Sequence, residues 1–110
     1  MNILDEHTQR IVDFCQARDW EQFHDPKDLA ISLNLEAAEV LEQFQWKKRS
    51  EVNTRLVAEE LSDVYYWILL MSHYLDIDLA KAFQAKMMQN EAKYPAEKAR
   101  GKKAKYTEYQ

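Results

Sequence analysis

The chain has very few of the residues that make tight turns or covalent cross-links. Its 110 residues include one glycine, two prolines and one cysteine. So few glycines and prolines argue against a sheet protein with many tight turns and favour long helices. The single Cys15 excludes an internal disulfide and a cysteine zinc cluster. The scarcity of these residues therefore predicts an all-α fold.

Long apolar runs and an excess of positive charge are missing too. No stretch approaches the roughly 20 apolar residues of a membrane span, and the first residues lack the basic-then-apolar pattern of a secretion signal. The net charge of -4 gives no indication of a nucleic-acid partner. We therefore expect a cytoplasmic protein that binds neither nucleic acid nor a membrane.

Hydrophobic periodicity divides the chain into four helices, which predicts a four-helix bundle-like domain. We place them over about residues 3–18, from Asp25-Pro26 to Trp46, from Ser50 to about Leu75, and from Asp78 to Pro95. Asp25 and Asp78 are typical N-caps, and Pro26 suits the first helical position. We expect one all-α domain over residues 1–96 and a basic C-terminal tail over residues 97–110.

The third predicted helix is apolar on nearly every side near its middle. Tyr65, Tyr66 and Trp67 are followed closely by Leu69 and Leu70. A helix of this kind is buried on several sides. In so small a chain, this pattern indicates that a second chain covers part of it, so we expect oligomerisation through the helices.

Two pairs of acids interrupt the apolar sequence of the second and third helices. Glu36 and Glu39 form one pair, and Glu60 and Asp63 form the other. Each pair is spaced i, i+3, which puts both side chains on one side of a helix. Spacing alone decides little, because the chain has four acid pairs of this spacing. The apolar context is more informative, because an ionised carboxylate there is costly unless positive charge meets it.

Two antiparallel helices can bring the acid pairs together inside a bundle, where metal sites are commonly built. Four converging carboxylates repel one another, and a hard divalent cation with oxygen ligands relieves that repulsion. Mg²⁺ is the default cation for such a set of ligands, with Mn²⁺ as the alternative. The residues by themselves thus predict a small helical Mg²⁺-dependent hydrolase.

Several other polar and aromatic residues have two interpretations. His24 is more often a hydrogen-bonded structural histidine than a ligand or base. Its neighbours Trp20 and Phe23 either close the end of a bundle or form one wall of a site. Lys86, Asn90 and Lys93 share a helix face that either meets phosphates or is simply solvated. We interpret the basic run 47–49 in the first place as a solvated helix end.

The acids and their surroundings resemble the MazG-like all-α nucleoside triphosphate pyrophosphohydrolases. The family pattern is Glu-x-x-Glu, a spacer, and Glu-x-x-Asp on facing helices. Three segments that together cover most of the chain are similar to family sequences: RDWEQFHDPKDLAISLNLEAAEVLEQFQW, EELSDVYYWILLMSHYLDIDL and KMMQNEAKYPAEKARG. The match is close to the short single-domain members, including the dCTP-pyrophosphatase-like and integron-borne types.

The resemblance implies an enzyme that hydrolyses (deoxy)nucleoside triphosphates to the monophosphate and pyrophosphate, to clear unwanted nucleotides. It also implies a homo-oligomer, either a dimer or a dimer of dimers. It implies that the catalytic Mg²⁺ ligands are Glu36, Glu39, Glu60 and Asp63. It further implies that the substrate-binding residues are His24 and Trp46, near the base and sugar, and Lys86, Asn90, Lys93 and Tyr94, near the phosphates and sugar.

Two departures from the family pattern leave the base preference open. Asp28 stands where dCTP-selective relatives tend to have Asn, and Trp67 stands where they have Tyr. The alternative function is a non-catalytic helical protein that binds nucleotides or acts as an oligomeric adaptor. An adaptor leaves Glu60 and Asp63 without any compensating charge, so we rank it second. A nucleotide-binding protein that keeps the site without turnover is distinguished from the enzyme only by an assay.

Overall fold

All regular structure in the described part of the chain is helical. The computed structural model describes residues 2–108, so Met1 and the last two positions of the predicted tail, Tyr109 and Gln110, lie outside the described residues. The helices are α1 (Ile3–Ala17), α2 (Pro26–Glu42), α3 (Thr54–Tyr74), α4 (Leu79–Lys93) and the short α5 (Ala96–Ala99), with 3-10 turns at Glu21–Phe23, Arg49–Glu51 and Tyr106–Glu108. The predicted all-α class, with four main helices, is confirmed.

The chain forms two compact units that divide between Ile77 and Asp78. In the first unit, α3 packs against both α2 and α1, so it is the central helix of that unit. The second unit contains α4, α5 and the last 3-10 turn. The predicted division into residues 1–96 and 97–110 stays a prediction.

Side-chain caps explain why three of the long helices begin where they do. Asn2 accepts a hydrogen bond from the backbone N–H of Asp5 at 2.9 Å, at the start of α1. Asp25 caps α2, with Pro26 at the first helical position, and Asp78 accepts from the N–H of Lys81 at 3.1 Å to cap α4. Each cap satisfies an N–H group that has no partner within its own helix. The two aspartate caps are those that the sequence predicted.

Two predicted helix boundaries were wrong. The third helix starts at Thr54, not Ser50, because Asn53 Oδ1 accepts from the N–H groups of Arg55 and Leu56 at 3.0 and 3.2 Å. The second helix ends at Glu42, four residues before Trp46. Beyond it the backbone tightens into i→i−3 hydrogen bonds, and Trp46 has a φ of 62°, the left-handed conformation that ends a helix.

A small apolar core holds the first unit together. Cys15 of α1, Leu29 of α2 and Leu70 of α3 are almost completely buried against one another. Tyr66 packs on this cluster and its hydroxyl lies 3.2 Å from Cys15 Sγ. Burial is the main reason why the pKa of Tyr66 is raised above its ordinary value. The core therefore ties both outer helices to α3.

Large apolar side chains remain exposed on α2 and α3 of the single chain. Leu41 is 71% exposed, Leu35 61% and Leu61 52%. Such surfaces are compatible with the predicted oligomer, which stays a prediction. No helix in residues 2–108 is long and apolar enough to cross a membrane.

The cap of α3 can be tested by comparing substitutions of Asn53 and of Ser50, which lies in the same connector. Asn53→Ala is expected to lower the free energy of unfolding by about 1 kcal/mol, because two backbone N–H groups lose their acceptor. Ser50→Ala should stay within about 0.5 kcal/mol of the parent, since Ser50 does not cap the helix. Urea unfolding of both variants measures the difference, and a larger loss in Ser50→Ala would contradict the cap.

Candidate active site

Four acids from two helices meet in the first unit. α2 carries Glu36 and Glu39, and α3 carries Glu60 and Asp63. One carboxylate oxygen of each residue lies within 4.8 Å of those of the other three. The i, i+3 spacing puts each pair on one side of its helix, and the packing of α2 on α3 turns these two sides toward each other. The structure therefore brings together all four acids that were singled out in the sequence.

The negative charge of this acid cluster is not balanced by basic side chains. Within the described residues, the one ion pair joins Arg55 to Glu59 and leaves the four acids without lysine or arginine. One oxygen of Glu36 and one of Glu60, the Oε2 atom in each case, are buried and have no hydrogen-bond partner. A buried polar oxygen without a partner is costly, and a bound cation would satisfy it.

Crowding of the carboxylates raises two pKa values. The pKa of Glu60 rises from its ordinary value of 4.5 to about 7, first because of a hydrogen bond with Glu39, then through loss of solvent and the surrounding negative charges. The pKa of Glu36 is also raised, mainly by burial, although a hydrogen bond from Trp67 acts in the opposite direction. Without a cation, the cluster is therefore partly protonated near neutral pH, and cation binding is expected to release protons.

The set of donors in the acid cluster fits a hard divalent cation. All four side chains offer carboxylate oxygens, which suit Mg²⁺ and Mn²⁺, and no thiol or imidazole belongs to the group. The two buried oxygens without hydrogen-bond partners are acceptors that a cation would satisfy. The cluster can therefore hold a metal ion, while the metal-ligand and catalytic roles of its four members stay predictions.

An aromatic pocket lies next to the acid cluster. It has a volume of about 250 Å³ and is lined by Trp20, Phe23, His24, Asp28, Leu29, Ser32 and Trp67. Trp67 connects the two features, because it lines the pocket, follows Asp63 by one turn on α3 and acts to lower the pKa of Glu36. In the structure, Trp20 and Phe23 thus line a pocket beside the acids.

His24 is held in this pocket as a neutral side chain. Its Nδ1 atom lies 2.9 Å from the hydroxyl of Tyr74, and the two rings meet edge to face. Burial lowers the pKa of His24, and the charge of Glu21 opposes this only in part. A neutral imidazole with one fixed nitrogen can offer the other to a ligand. Its contact with a base or sugar stays a prediction.

The other predicted substrate-binding residues lie outside the aromatic pocket. Trp46 follows the end of α2, is 90% exposed and does not line the pocket. Lys86, Asn90, Lys93 and Tyr94 belong to the second unit. Within that unit, Lys93 Nζ lies 5.4 Å from the ring centroid of Tyr106, and Tyr94 meets the same ring edge to face. Their roles toward a substrate stay predictions.

A larger cleft between α1 and α3 was missed in the sequence. Its volume is about 630 Å³, and its lining consists of His7, Arg10, Ile11, Phe14, Ser62, Asp63, Tyr65 and Tyr66. The spacing of His7, Arg10 and Phe14, i, i+3 and i+7, puts them on one face of α1, which is the sequence signal for this wall. Asp63 belongs to both the cleft and the acid cluster.

Comparison with known proteins identifies relatives with this fold. The chain is 38% identical over 105 residues to dCTP pyrophosphatase 1 of Homo sapiens and 36% identical to that of Rattus norvegicus. Each match covers 88% of this chain and 62% of the relative, so the chain spans less than two thirds of their length. A solved structure of a pyrophosphatase from Archaeoglobus fulgidus matches with a TM-score of 0.79 and 34% identity, over 86% of this chain and 94% of that one.

The fold and the acid cluster define an all-α protein with a carboxylate site suited to a divalent metal. The model of the MazG-like family matches residues 31–109, a span that includes all four acids. The chain belongs to the MazG-like family, as its sequence resemblance predicted.

The raised pKa of Glu60 predicts how stability depends on pH without metal. Glu60 contributes stability that is complete below its ordinary pKa of 4.5 and is lost as the pH rises through about 7. In EDTA, the melting temperature should therefore fall between about pH 5 and pH 8. Glu60→Gln should flatten this part of the profile and raise the melting temperature at about pH 8, because it removes one of four crowded charges.

Glu42→Gln is the matched control, since Glu42 is an exposed acid of α2 outside the cluster. Its pH profile should follow that of the parent. A parent-like slope in Glu60→Gln would contradict the shared proton in the cluster. Thermal melts followed by circular dichroism provide the measurement.

Proposed function

We propose that the protein hydrolyses nucleoside triphosphates, ribo- or deoxyribo-, to the nucleoside monophosphate and pyrophosphate, and so removes unwanted nucleotides. The observation that carries this proposal is the cluster of four carboxylates beside an aromatic pocket. Polyphosphates need a divalent cation beside such acids, and bases need a flat apolar surface. The relatives named dCTP pyrophosphatase 1 and the structure titled a pyrophosphatase support the same activity.

The order of residues along α2 and α3 supports one orientation of the substrate. Asp28 and Ser32 of the pocket come about two turns and one turn, respectively, before Glu36 on α2. On α3, Trp67 of the pocket follows Asp63 by one turn. Along both helices, residues of the aromatic pocket therefore precede or follow the acids within two turns. In our proposal the base occupies the aromatic pocket and the phosphates lie at the acids.

Glu36, Glu39, Glu60 and Asp63 would hold the cation, which we propose to be Mg²⁺, with Mn²⁺ as a substitute. The bound cation would supply positive charge that screens the triphosphate and activates water for attack. The indole of Trp67 acts to lower the pKa of Glu36, which favours its ionised form as a ligand. The pocket residues Trp20 and Phe23 would exclude water from the base.

The reaction is balanced with water as the only co-reactant. The oxygen of water forms a new bond to the α-phosphorus, and the bond from that phosphorus to the bridging oxygen of the β-phosphate breaks. Pyrophosphate leaves with the bridging oxygen, and the monophosphate keeps the oxygen of water. Attack at the α-phosphorus is the proposal that accounts for these products.

Removing one carboxylate charge tests the acid cluster directly. Glu60→Gln and Asp63→Asn are each expected to lower Mg²⁺-dependent pyrophosphate release more than about 100-fold, because the cation and the developing charge lose a ligand. EDTA should abolish the release by the parent. Glu42→Gln should keep parental activity. Pyrophosphate release from a panel of common and modified nucleotides is the assay, and it also determines the base preference.

Circular dichroism should show that both variants keep the helical fold. Retained turnover in both variants would reject the site. Binding of nucleotides by the parent without any release of pyrophosphate would favour the non-catalytic alternative.

We also propose that the protein is a homo-oligomer, a dimer or a dimer of dimers. The exposed leucines of α2 and α3, such as Leu35, Leu41 and Leu61, support this proposal, because apolar patches of this kind are commonly covered by a partner. Light scattering after gel filtration should give two or four times the chain mass of 13.1 kDa. A monomer over the whole concentration range would reject the oligomer.

A further inference from the structure

The cleft between α1 and α3 has the size of a ligand site and borders the acid cluster. Its volume of about 630 Å³ is in the range of small-molecule pockets. Asp63 is the shared residue, because it lines the cleft and offers an oxygen to the cluster. The aromatic pocket lies close to the same cluster along α3, where its lining residue Trp67 follows Asp63 by one turn. The acid cluster thus borders the cleft directly at Asp63 and lies one helical turn from the aromatic pocket.

Arg10 makes the charge of this cleft different from that of the aromatic pocket. Among the residues that line these two cavities, Arg10 is the one lysine or arginine. Across residues 2–108, its guanidinium takes part in no ion pair or hydrogen bond. A cation without a protein partner, in a cleft that also contains a member of the acid cluster, is available to an anionic ligand.

A contact between α1 and α3 holds the wall of the cleft that carries Arg10 in place. His7 lies one turn before Arg10 on α1, and its Nδ1 atom is 2.7 Å from the hydroxyl of Tyr65 on α3. The two rings also meet edge to face, with centroids 5.5 Å apart. Tyr65 is two residues after Asp63, so this contact ties α1 to α3 close to the acids. Arg10 is therefore presented from a fixed helix.

We propose that the cleft is a phosphate subsite in which Arg10 binds the pyrophosphate end of the triphosphate. This inference rests on the proposed function. With the base in the aromatic pocket and the α-phosphate at the acids, the β- and γ-phosphates continue past Asp63 into the cleft. The planar guanidinium offers paired N–H donors that match phosphate oxygens, which a lysine cannot reproduce.

Inorganic pyrophosphate is the probe that isolates this subsite. Calorimetric titration in the presence of Mn²⁺ should give a dissociation constant about tenfold or more higher in Arg10→Gln than in the parent. Arg10→Lys should fall between the two, because it keeps the charge and loses the fork of donors. The affinities for Mn²⁺ alone and for a nucleoside monophosphate should stay at the parental values in both variants.

Arg55→Gln is the matched control. It makes the same change of charge at an exposed residue of the first unit that lines neither cavity, and it breaks only a surface ion pair. Its affinity for pyrophosphate should equal that of the parent. In turnover, the KM for a nucleoside triphosphate should rise in Arg10→Gln and stay unchanged in Arg55→Gln.

Two results would overturn the subsite and leave the proposed function standing. In the first, the parent hydrolyses nucleotides and Arg10→Gln binds pyrophosphate as tightly as Arg55→Gln does. In the second, Arg10→Gln loses affinity for Mn²⁺ and the monophosphate to the same degree as for pyrophosphate, which would indicate a general structural role. A parent that binds neither Mn²⁺ nor pyrophosphate would reject both proposals together.

Discussion

The packing of α2 against α3 forces four carboxylates to share one small volume, and the rest of the first unit has to tolerate that repulsion. Oxygens of the four side chains lie within 4.8 Å of one another, and no lysine or arginine of residues 2–108 forms an ion pair with them. The unit keeps this arrangement because its apolar core, built on Cys15, Leu29 and Leu70, joins α3 to both neighbouring helices. The cluster thus lowers the local stability of the fold, and a positively charged ligand would relieve the repulsion.

Trp67 links this costly cluster to the neighbouring pocket. Its ring forms part of the pocket wall, and its N–H lowers the pKa of Glu36 against the effect of burial. A single side chain therefore contacts both the aromatic region and an acid.

The apolar core is small, and many apolar side chains remain on the surface. Among the described residues, four hydrophobic side chains are almost fully buried, while leucines and aromatic residues on several helices stay exposed. A short chain buries a smaller share of its apolar surface than a long one does. Association with further copies would complete the burial that the isolated chain leaves unfinished.

Local sequence was sufficient for the helices and for the choice of the four acids. Asp25 and Asp78 cap helices because a short polar side chain beside an apolar repeat is a local signal. The boundaries at Asn53 and Glu42 were missed, because several nearby polar residues suit a cap and the observed local hydrogen bonds distinguish them.

Only the tertiary structure decided which distant residues meet. The contact of His7 with Tyr65 joins positions 58 residues apart, and no local pattern specifies such a pair. The same holds for the cleft around Arg10 and for the pocket that Trp20 and Trp67 share. Helix periodicity determines which side chains share a face, whereas the packing of one helix on another determines which faces meet.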